Sequence, residues 1–271
     1  MHVVMAPDSF RGTLSAPEAA AAMADGWRRH APDDTVTLVP MSDGGAGVVE
    51  AVRAALPGSL VQVTVPGPDG APVPAAVLLV AAADDPSGRA SAYVDLSHAL
   101  GEHLVVDAPA GDAAGVLRRT SRGAGRLVGE AVGTGAERVV VGAGRAGVLD
   151  GGAGLLTGLA ETLLDGTGHA DPAPPGLAAA AQRTPGEVAH LALLRERLTG
   201  VELVLATDRD SPLVGRHGPV QASGRDLGVP AASLPSADAA MTAWAAVLVE
   251  AAGAAGAPDP GRLVALPGAG A

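Results

Sequence analysis

The fold is decided by an opening stretch, residues 2–20, which reads HVVMAPDSFRGTLSAPEAA. Its first residues form a short apolar run that ends just before Asp8, as in a buried parallel strand. Ser15 and Glu18 have the spacing of a capping box, in which each side chain bonds the backbone N–H of the other residue. A helix is predicted to follow, and a second strand over residues 35–40. Strand, helix and strand in this order predict a parallel sheet.

The alternation of strands and helices continues along the chain. Residues 60–65 and 73–80 flank a Pro/Gly-rich turn and are predicted to pair as antiparallel strands. Further strands are predicted over residues 92–96, 138–142 and 202–206, and further helices over residues 48–56, 120–132, 152–164, 187–198 and 237–252. The pattern predicts an α/β fold, with no internal repeat.

Composition and charge exclude several classes of function. The 271 residues carry a net charge of -11, which argues against a nucleic-acid partner because phosphates need a basic surface. There is no cysteine, so a disulfide framework, a thiolate metal site and a cysteine nucleophile are all excluded. All 18 basic residues counted as Lys or Arg are arginines. Any phosphate or carboxylate clamp must therefore use arginine, backbone N–H groups or a metal.

The sequence also predicts where the protein works. Asp8 comes too early for the apolar region of a signal peptide, and no uninterrupted apolar run reaches about 18 residues. We therefore expect a cytoplasmic protein that does not span a membrane.

Four loops rich in aspartate and glycine follow predicted strands. They cover residues 6–12, 42–47, 142–154 and 207–215. In a parallel sheet such loops meet at the carboxyl edge, where glycine lets the backbone approach a phosphate and a helix N-terminus favours negative charge. Aspartate oxygens there could hold Mg²⁺. Each loop alone is more often an ordinary turn, but four at strand ends favour a phosphate-handling cleft.

The same loops carry a family resemblance. APDSFRGTLSA at residues 6–16 resembles the opening signature of the type I glycerate kinases, APDSF(K/R)G(S/T)LSA. SDGGAGVVEA at residues 42–51 is similar to the family's ADGGEGTVEA, DGGAG at residues 150–154 matches its DGGAG, and TDRDSPL at residues 207–213 resembles its (C/S)DVDNPL. The order and spacing of the motifs agree along the chain.

The resemblance implies a two-domain α/β fold with the active site between the domains. A Rossmann-like first domain would comprise residues 1–66, a second α/β domain inserted in it residues 67–255, and the return to the first domain residues 256–271. In relatives the final LPGAGA run continues into a further segment, which we expect to be absent here. The implied reaction moves the γ-phosphoryl group of ATP to a hydroxyl of D-glycerate or a related small hydroxy acid, with Mg²⁺. The implied partners are that acid and a nucleotide.

Residues in the first two motifs are the candidate catalytic groups. Asp8 and Ser9 would orient substrate or phosphate, and Arg11 would clamp an anion bidentately. A helix-entry turn and a solvated loop charge are the competing interpretations. Asp43 would bind Mg²⁺ or accept the proton of the substrate hydroxyl.

Other motif positions are candidate binding groups. The candidates for substrate or phosphate binding are Gly44, Gly45, Asp150, Gly151, Gly152 and Arg122. For Asp150, capping of the following helix is a serious alternative, and Arg122 could equally be a solvated charge beside an ordinary cap. Asp208 and Asp210 lie two residues apart on an extended segment and could share the Mg²⁺ site with Asp43. Surface repulsion relieved by Arg209 is the alternative.

Several polar positions of the family pattern are replaced. The family's GGSATNDGG reads GRAGVLDGG over residues 144–152, so the Ser, Thr and Asn side chains of the motif are lost and Arg145 stands where the motif has its second glycine. Ala46 and His98 replace glutamates, and His98 could supply new acid/base chemistry or be structural. These changes leave a second hypothesis open, a catalytically impaired homologue that binds a ligand or a partner. A homodimer that completes the first domain is a further possibility.

Overall fold

The computed structural model describes residues 1–10, 12–105, 113–164, 176–188 and 190–270. Its strands are β1 (His2–Met5), β2 (Thr35–Leu38), β3 (Ser59–Pro66), β4 (Pro72–Val80), β5 (Ser91–Asp95), β6 (Arg138–Ala143) and β7 (Glu202–Thr207). Its α-helices are α1 (Ala16–Arg28), α2 (Val48–Ala55), α3 (Ser97–Leu100), α4 (Ala113–Arg118), α5 (Arg122–Gly133), α6 (Ala153–Leu163), α7 (Leu177–Ala180), α8 (Leu191–Arg197), α9 (Pro219–Ser223), α10 (Leu234–Ala254) and α11 (Pro260–Leu263). The predicted α/β class is confirmed.

The opening unit forms as the sequence predicts. β1 and β2 pair in parallel and α1 connects them. The backbone N–H of Ser15 donates to the Glu18 carboxylate at 2.8 Å, and the N–H of Glu18 donates to Ser15 Oγ at 3.4 Å. The capping box therefore fixes the first turn of α1 from both sides.

The remaining strands form a separate five-stranded sheet in the order β3-β4-β5-β6-β7. β3, β4 and β5 are antiparallel neighbours, while β5, β6 and β7 run parallel. The parallel pairing predicted for the chain is thus divided between two sheets. The carboxyl ends of β5, β6 and β7 share one edge of the sheet. The loops that follow β6 and β7 carry the third and fourth motifs, and the loop of the second motif lies against the same edge.

Helices cover both faces of the large sheet. On one face, Val94 and Val139 pack with Leu127 of α5 and Leu159 of α6 in the largest apolar cluster. On the other face, Val48 and Val49 of α2 pack against β4, β5 and β6. Burial on both faces explains why β5 and β6 read as continuous apolar runs instead of alternating ones.

A third apolar cluster surrounds the long helix α10. Trp244 and Met241 are fully buried there, and the cluster includes Leu177 of α7 and Val220 of α9. The continuous helical stretch Ala231–Ala254 is the one helix among the described residues that is long and apolar enough to cross a membrane. One face of this helix, which includes Trp244 and Met241, is buried in the cluster, and much of the remainder is exposed or half-buried.

Two predicted boundaries differ from the observed elements. The helix predicted over residues 187–198 is preceded by a separate 3₁₀ turn, Pro185–Val188, and α8 begins only at Leu191. β3 pairs with β4 and α2 packs on the five-stranded sheet, so strand pairing would place the first domain boundary ahead of α2 instead of at residue 66. The division into residues 1–66, 67–255 and 256–271 stays a prediction.

Candidate functional site

The loop of residues 42–47 lies across the carboxyl ends of β6 and β7. Gly44 has a φ of 94°, and a Cβ on it would lie 2.6 Å from the backbone of Ala206 and Thr207. From the other side, a Cβ on Gly144 would lie 2.9 Å from Gly45 Cα. Only glycine allows this approach of two backbones, so the loop is held against the sheet edge by main-chain contact.

Two carboxylates meet beside this loop. A Cβ built on Gly45 would lie 3.0 Å from Asp43 Oδ1 and 3.6 Å from Asp208 Oδ2. Asp43 is exposed and Asp208 is nearly buried. Carboxylate oxygens are the donors that Mg²⁺ prefers, so Asp43 and Asp208, which both lie close to Gly45, are of the residue type that fits the ion implied by the resemblance.

The amides of Gly44 and Gly45 have partners within their own loop. Gly44 N–H donates to Ser42 Oγ at 3.2 Å, and Gly45 N–H donates to Asp43 Oδ1 at 2.9 Å. The predicted phosphate contacts of these two amides would therefore have to replace side-chain bonds. They stay a prediction.

Asp95, at the end of β5, fastens the loop to the large sheet, and sequence reasoning did not select it. Its Oδ2 accepts the N–H of Gly47 at 2.6 Å, and its Oδ1 accepts the N–H of Ser97 at 2.8 Å. The side chain is fully buried. The signal for it is a carboxylate that ends a strand whose other residues are all apolar or small, since such a buried charge needs donors.

Glu50, Asp95 and His98 form a cluster behind the loop, with one possible ligand atom from each lying within 4.8 Å of the others. His98 Nε2 lies 3.8 Å from Glu50 Oε1. The interaction with Glu50 raises the pKa of His98 and burial opposes the shift, while the same interaction lowers the pKa of Glu50. His98 of α3 thus forms an ion pair with Glu50 of α2 and links the two helices. This contact supports a structural role for His98.

The first motif lies beside the second. Ser9 Cβ is 4.0 Å from the position that a Cβ on Gly47 would occupy. Asp8 Oδ1 accepts the N–H of Ser9 at 2.6 Å, a local bond within the loop, and the role of Asp8 stays a prediction. Arg11 lies outside the described residues.

A cavity of about 750 Å³, cavity B, opens between these loops. Its polar lining includes Ser9, Thr13, Ser15, Ser97, His103 and Asp208. The structure thus brings the first, second and fourth motifs to one cavity.

A second cavity of about 800 Å³, cavity A, lies along the loops that follow β6 and β7. Asp150, Gly151, Gly152 and Asp210 line it, and its walls include seven leucines. Asp210 therefore faces cavity A whereas Asp208 faces cavity B, so the structure does not bring these two carboxylates to one cavity. Among the described residues, Glu102 and Arg145 line both cavities.

Asp150 has the contacts of a capping residue. Its carboxylate accepts the N–H of Ser121 at 2.7 Å and that of Gly154 at 3.0 Å, together with the Ser121 hydroxyl and the N–H of Gly152. These donors belong to the first turns of α5 and α6. Burial raises the pKa of Asp150 and the hydrogen bonds from Ser121 and the glycines oppose the shift. The geometry favours the capping alternative, although the residue also lines cavity A.

Arg122 lies away from both large cavities. Its Nε donates to Glu161 Oε2 at 2.9 Å, and a second nitrogen contacts the other oxygen, so α5 and α6 are joined by a bidentate pair. The residue lines a separate cavity of about 180 Å³. Its predicted role in substrate binding thus gains no geometric support.

The fold and the site define an α/β protein with a glycine-lined, acidic cleft at the carboxyl edge of its sheets. The chain belongs to the glycerate kinase family, whose model matches residues 3–271. It is 35% identical over 238 residues to the glycerate kinase of Bacillus subtilis and 33% identical over 251 residues to the glycerate 2-kinase of Escherichia coli K12. These alignments cover 88% and 93% of this chain but 58% and 62% of the relatives.

A solved structure agrees with this assignment. A Salmonella typhimurium LT2 protein assigned as a glycerate kinase 2 matches with a TM-score of 0.75 and 30% identity, covering 100% of this chain and 67% of that one. The chain therefore spans about three fifths to two thirds of the length of the relatives named. The fold class and the family that the sequence motifs indicate are both confirmed.

Proposed function

We propose that the chain carries the site of an ATP-dependent glycerate kinase, which moves the γ-phosphoryl group of ATP to a hydroxyl of D-glycerate or a related small hydroxy acid. The observation that carries the proposal is the meeting of two cavities at a wall formed by Glu102 and Arg145, with Asp208 in the lining of cavity B. Phosphoryl transfer needs two substrates held in line and a concentration of positive charge between them. Two adjoining cavities with an arginine in the shared wall fit this requirement.

The linings suggest which substrate each cavity takes. Cavity A is the larger, includes leucine side chains suited to contact a base, and borders the N-terminus of α6, where phosphate is favoured. Cavity B is lined by hydroxyl groups, which suit a small polyol acid. We assign the nucleotide to cavity A and the hydroxy acid to cavity B.

The carboxylates by Gly45 have two tasks in this proposal. Asp43 and Asp208 would hold Mg²⁺, which offsets the charge of the phosphates when bound. The exposed carboxylate of Asp43 also accepts the proton of the attacking hydroxyl. Ser9 orients the acid from the opposite side of cavity B. We further propose that the protein is cytoplasmic and that its partners are small molecules. Measurement of the mass in solution tests whether it forms a homodimer.

A coupled assay of ADP release tests the function. We expect D-glycerate to stimulate ADP release by the wild-type protein, and Asp43→Asn to reduce kcat by about 100-fold or more. Asp25→Asn is the matched control, because Asp25 is an exposed aspartate that pairs with Arg28 within α1 and lies outside the loops of the site. Binding of nucleotide or acid without turnover would support the impaired homologue instead. Equal activity of the Asp43 variant and the control would refute the assigned role.

A further inference from the structure

The wall between the two cavities is an ion pair placed by the backbone. Arg145 Nε donates to Glu102 Oε1 at 2.7 Å. The loop after β6 turns back on the chain after α3, with an antiparallel bridge between Gly101 and Ala146 and a bond from Gly147 N–H to Leu100 O at 2.6 Å. These main-chain contacts set Arg145 opposite Glu102.

The charge on Arg145 is permanent and faces acidic groups. The hydrogen bond that Arg145 donates to Glu102 raises the pKa of Arg145, and attraction by Asp226 and Asp208 adds to it. The chain has no lysine, so arginine must supply any side-chain cation for phosphate. In the described lining, the other arginine of cavity A is Arg209, which lies 3.7 Å from Asp208 and lines that cavity alone. Arg145 is the guanidinium that lines both sides.

From this position we propose that Arg145 binds the phosphoryl group while it passes between the cavities, and that Glu102 holds the guanidinium in place before the substrates arrive. The inference rests on the function proposed above and names a catalytic residue for it. Arg145 stands where the family motif has its second glycine, so this role would be particular to the present chain.

The step balances as follows. The bond between the γ-phosphorus and the bridging oxygen breaks, and that oxygen leaves with the electron pair as part of ADP. The hydroxyl oxygen of the acid forms the new bond to phosphorus, and its proton goes to the Asp43 carboxylate. Negative charge on the three remaining oxygens is met by the forked N–H groups of Arg145, whose planar geometry suits phosphate.

Measurements of nucleotide binding distinguish a phosphate-binding role of Arg145 from that of an ordinary surface ion pair, whose loss would change folding stability little and nucleotide affinity not at all. Isothermal titration with ATP and with ADP, each with Mg²⁺, is compared for the wild type, Arg145→Ala and Arg145→Lys. The control is Arg28→Ala, which removes an exposed arginine that lines neither cavity. We expect Arg145→Ala to raise the Kd for ATP about tenfold and leave the Kd for ADP within about twofold. Arg145→Lys should fall between, because lysine keeps the charge and loses the fork.

Kinetics provide a second readout. Arg145→Ala should lose about 10³-fold in kcat with an almost unchanged KM for the acid. Millimolar guanidinium should restore part of the activity of Arg145→Ala and none of that of Asp43→Asn. An Arg145→Ala protein that keeps the wild-type preference for ATP over ADP, or loses affinity for both nucleotides equally, would overturn the inference alone. A wild-type protein that binds neither nucleotide would overturn the proposed function as well.

Discussion

Asp150 offers a sharp test because its two possible roles predict opposite results. In Asp150→Asn one carboxylate oxygen becomes an NH₂ group. In the wild type both carboxylate oxygens accept hydrogen bonds. Oδ1 accepts from the Ser121 hydroxyl and Gly152 N–H, and Oδ2 accepts from the N–H groups of Ser121 and Gly154. Whichever way the amide turns, a donor will face a donor at a buried position. Hydrogen bonds to charged groups contribute about 1.5–3 kcal/mol each, and an unsatisfied buried donor costs about 1–3 kcal/mol.

We therefore expect Asp150→Asn to lower the free energy of unfolding by about 3 kcal/mol. For a chain of this size that corresponds to a decrease in Tm of roughly 6–12 °C. Urea unfolding followed by circular dichroism gives the free energy, and a thermal scan gives Tm. Asp210→Asn is the matched control, since Asp210 lines the same cavity and is exposed. It should stay within about 0.5 kcal/mol of the wild type. An Asp150→Asn protein with wild-type stability and weakened nucleotide binding would refute the capping role and restore the phosphate role.

Two further predictions concern the second motif. The pair of Glu50 and His98 should stabilise the folded state most between about pH 4.5 and 6.5. The lowered pKa of Glu50 adds folding stability above the usual pKa of 4.5, and the raised pKa of His98 adds folding stability below the usual pKa of 6.5. Urea unfolding should show a larger loss for His98→Gln at pH 5.5 than at pH 8.5, and equal losses would contradict the pairing. Gly44→Ala should cost more than about 2 kcal/mol, because the backbone of β7 leaves no room for the Cβ. Gly70→Ala has a similar positive φ and open space, so it should cost about 1 kcal/mol, and equal denaturation midpoints would refute the packing argument.

Local sequence signals predicted the elements well where the deciding forces are local. The capping box of Ser15 and Glu18 involves residues three apart, and it fixes the start of α1 as predicted. The antiparallel pair β3 and β4 is joined by a short Pro/Gly turn and forms over the predicted residues. The separation of β1 and β2 from the large sheet was not predictable in this way, because the pairing of a strand edge depends on elements far along the chain.

The candidate site shows the same division. The loops at the carboxyl edge followed from strand order, and the structure brings Asp43, Asp208 and Ser9 to one region. The role of Asp95 is not predictable from local sequence, because its hydrogen-bond partner, Gly47 N–H, is 48 residues earlier in the chain. Arg122 was selected because it begins a helix, but Glu161 of the adjacent α6 binds its guanidinium. Motif position alone does not reveal which charge a neighbouring helix supplies.

The polar side chains that differ from the family motif do not by themselves favour an impaired protein. The loop of residues 42–47 is held to the sheet by glycine contacts, by the buried Asp95 and by its own Ser42 and Asp43 bonds. None of these depends on the replaced positions Ala46 and Val48. Catalysis of phosphoryl transfer comes chiefly from positioning and charge, and the backbone that positions the loop is intact. The loss of hydroxyl and amide groups at Ala146, Val148 and Leu149 is accompanied by the gain of a guanidinium, that of Arg145, at the junction of the cavities. The changes therefore alter which groups supply charge, while the framework that places them is kept.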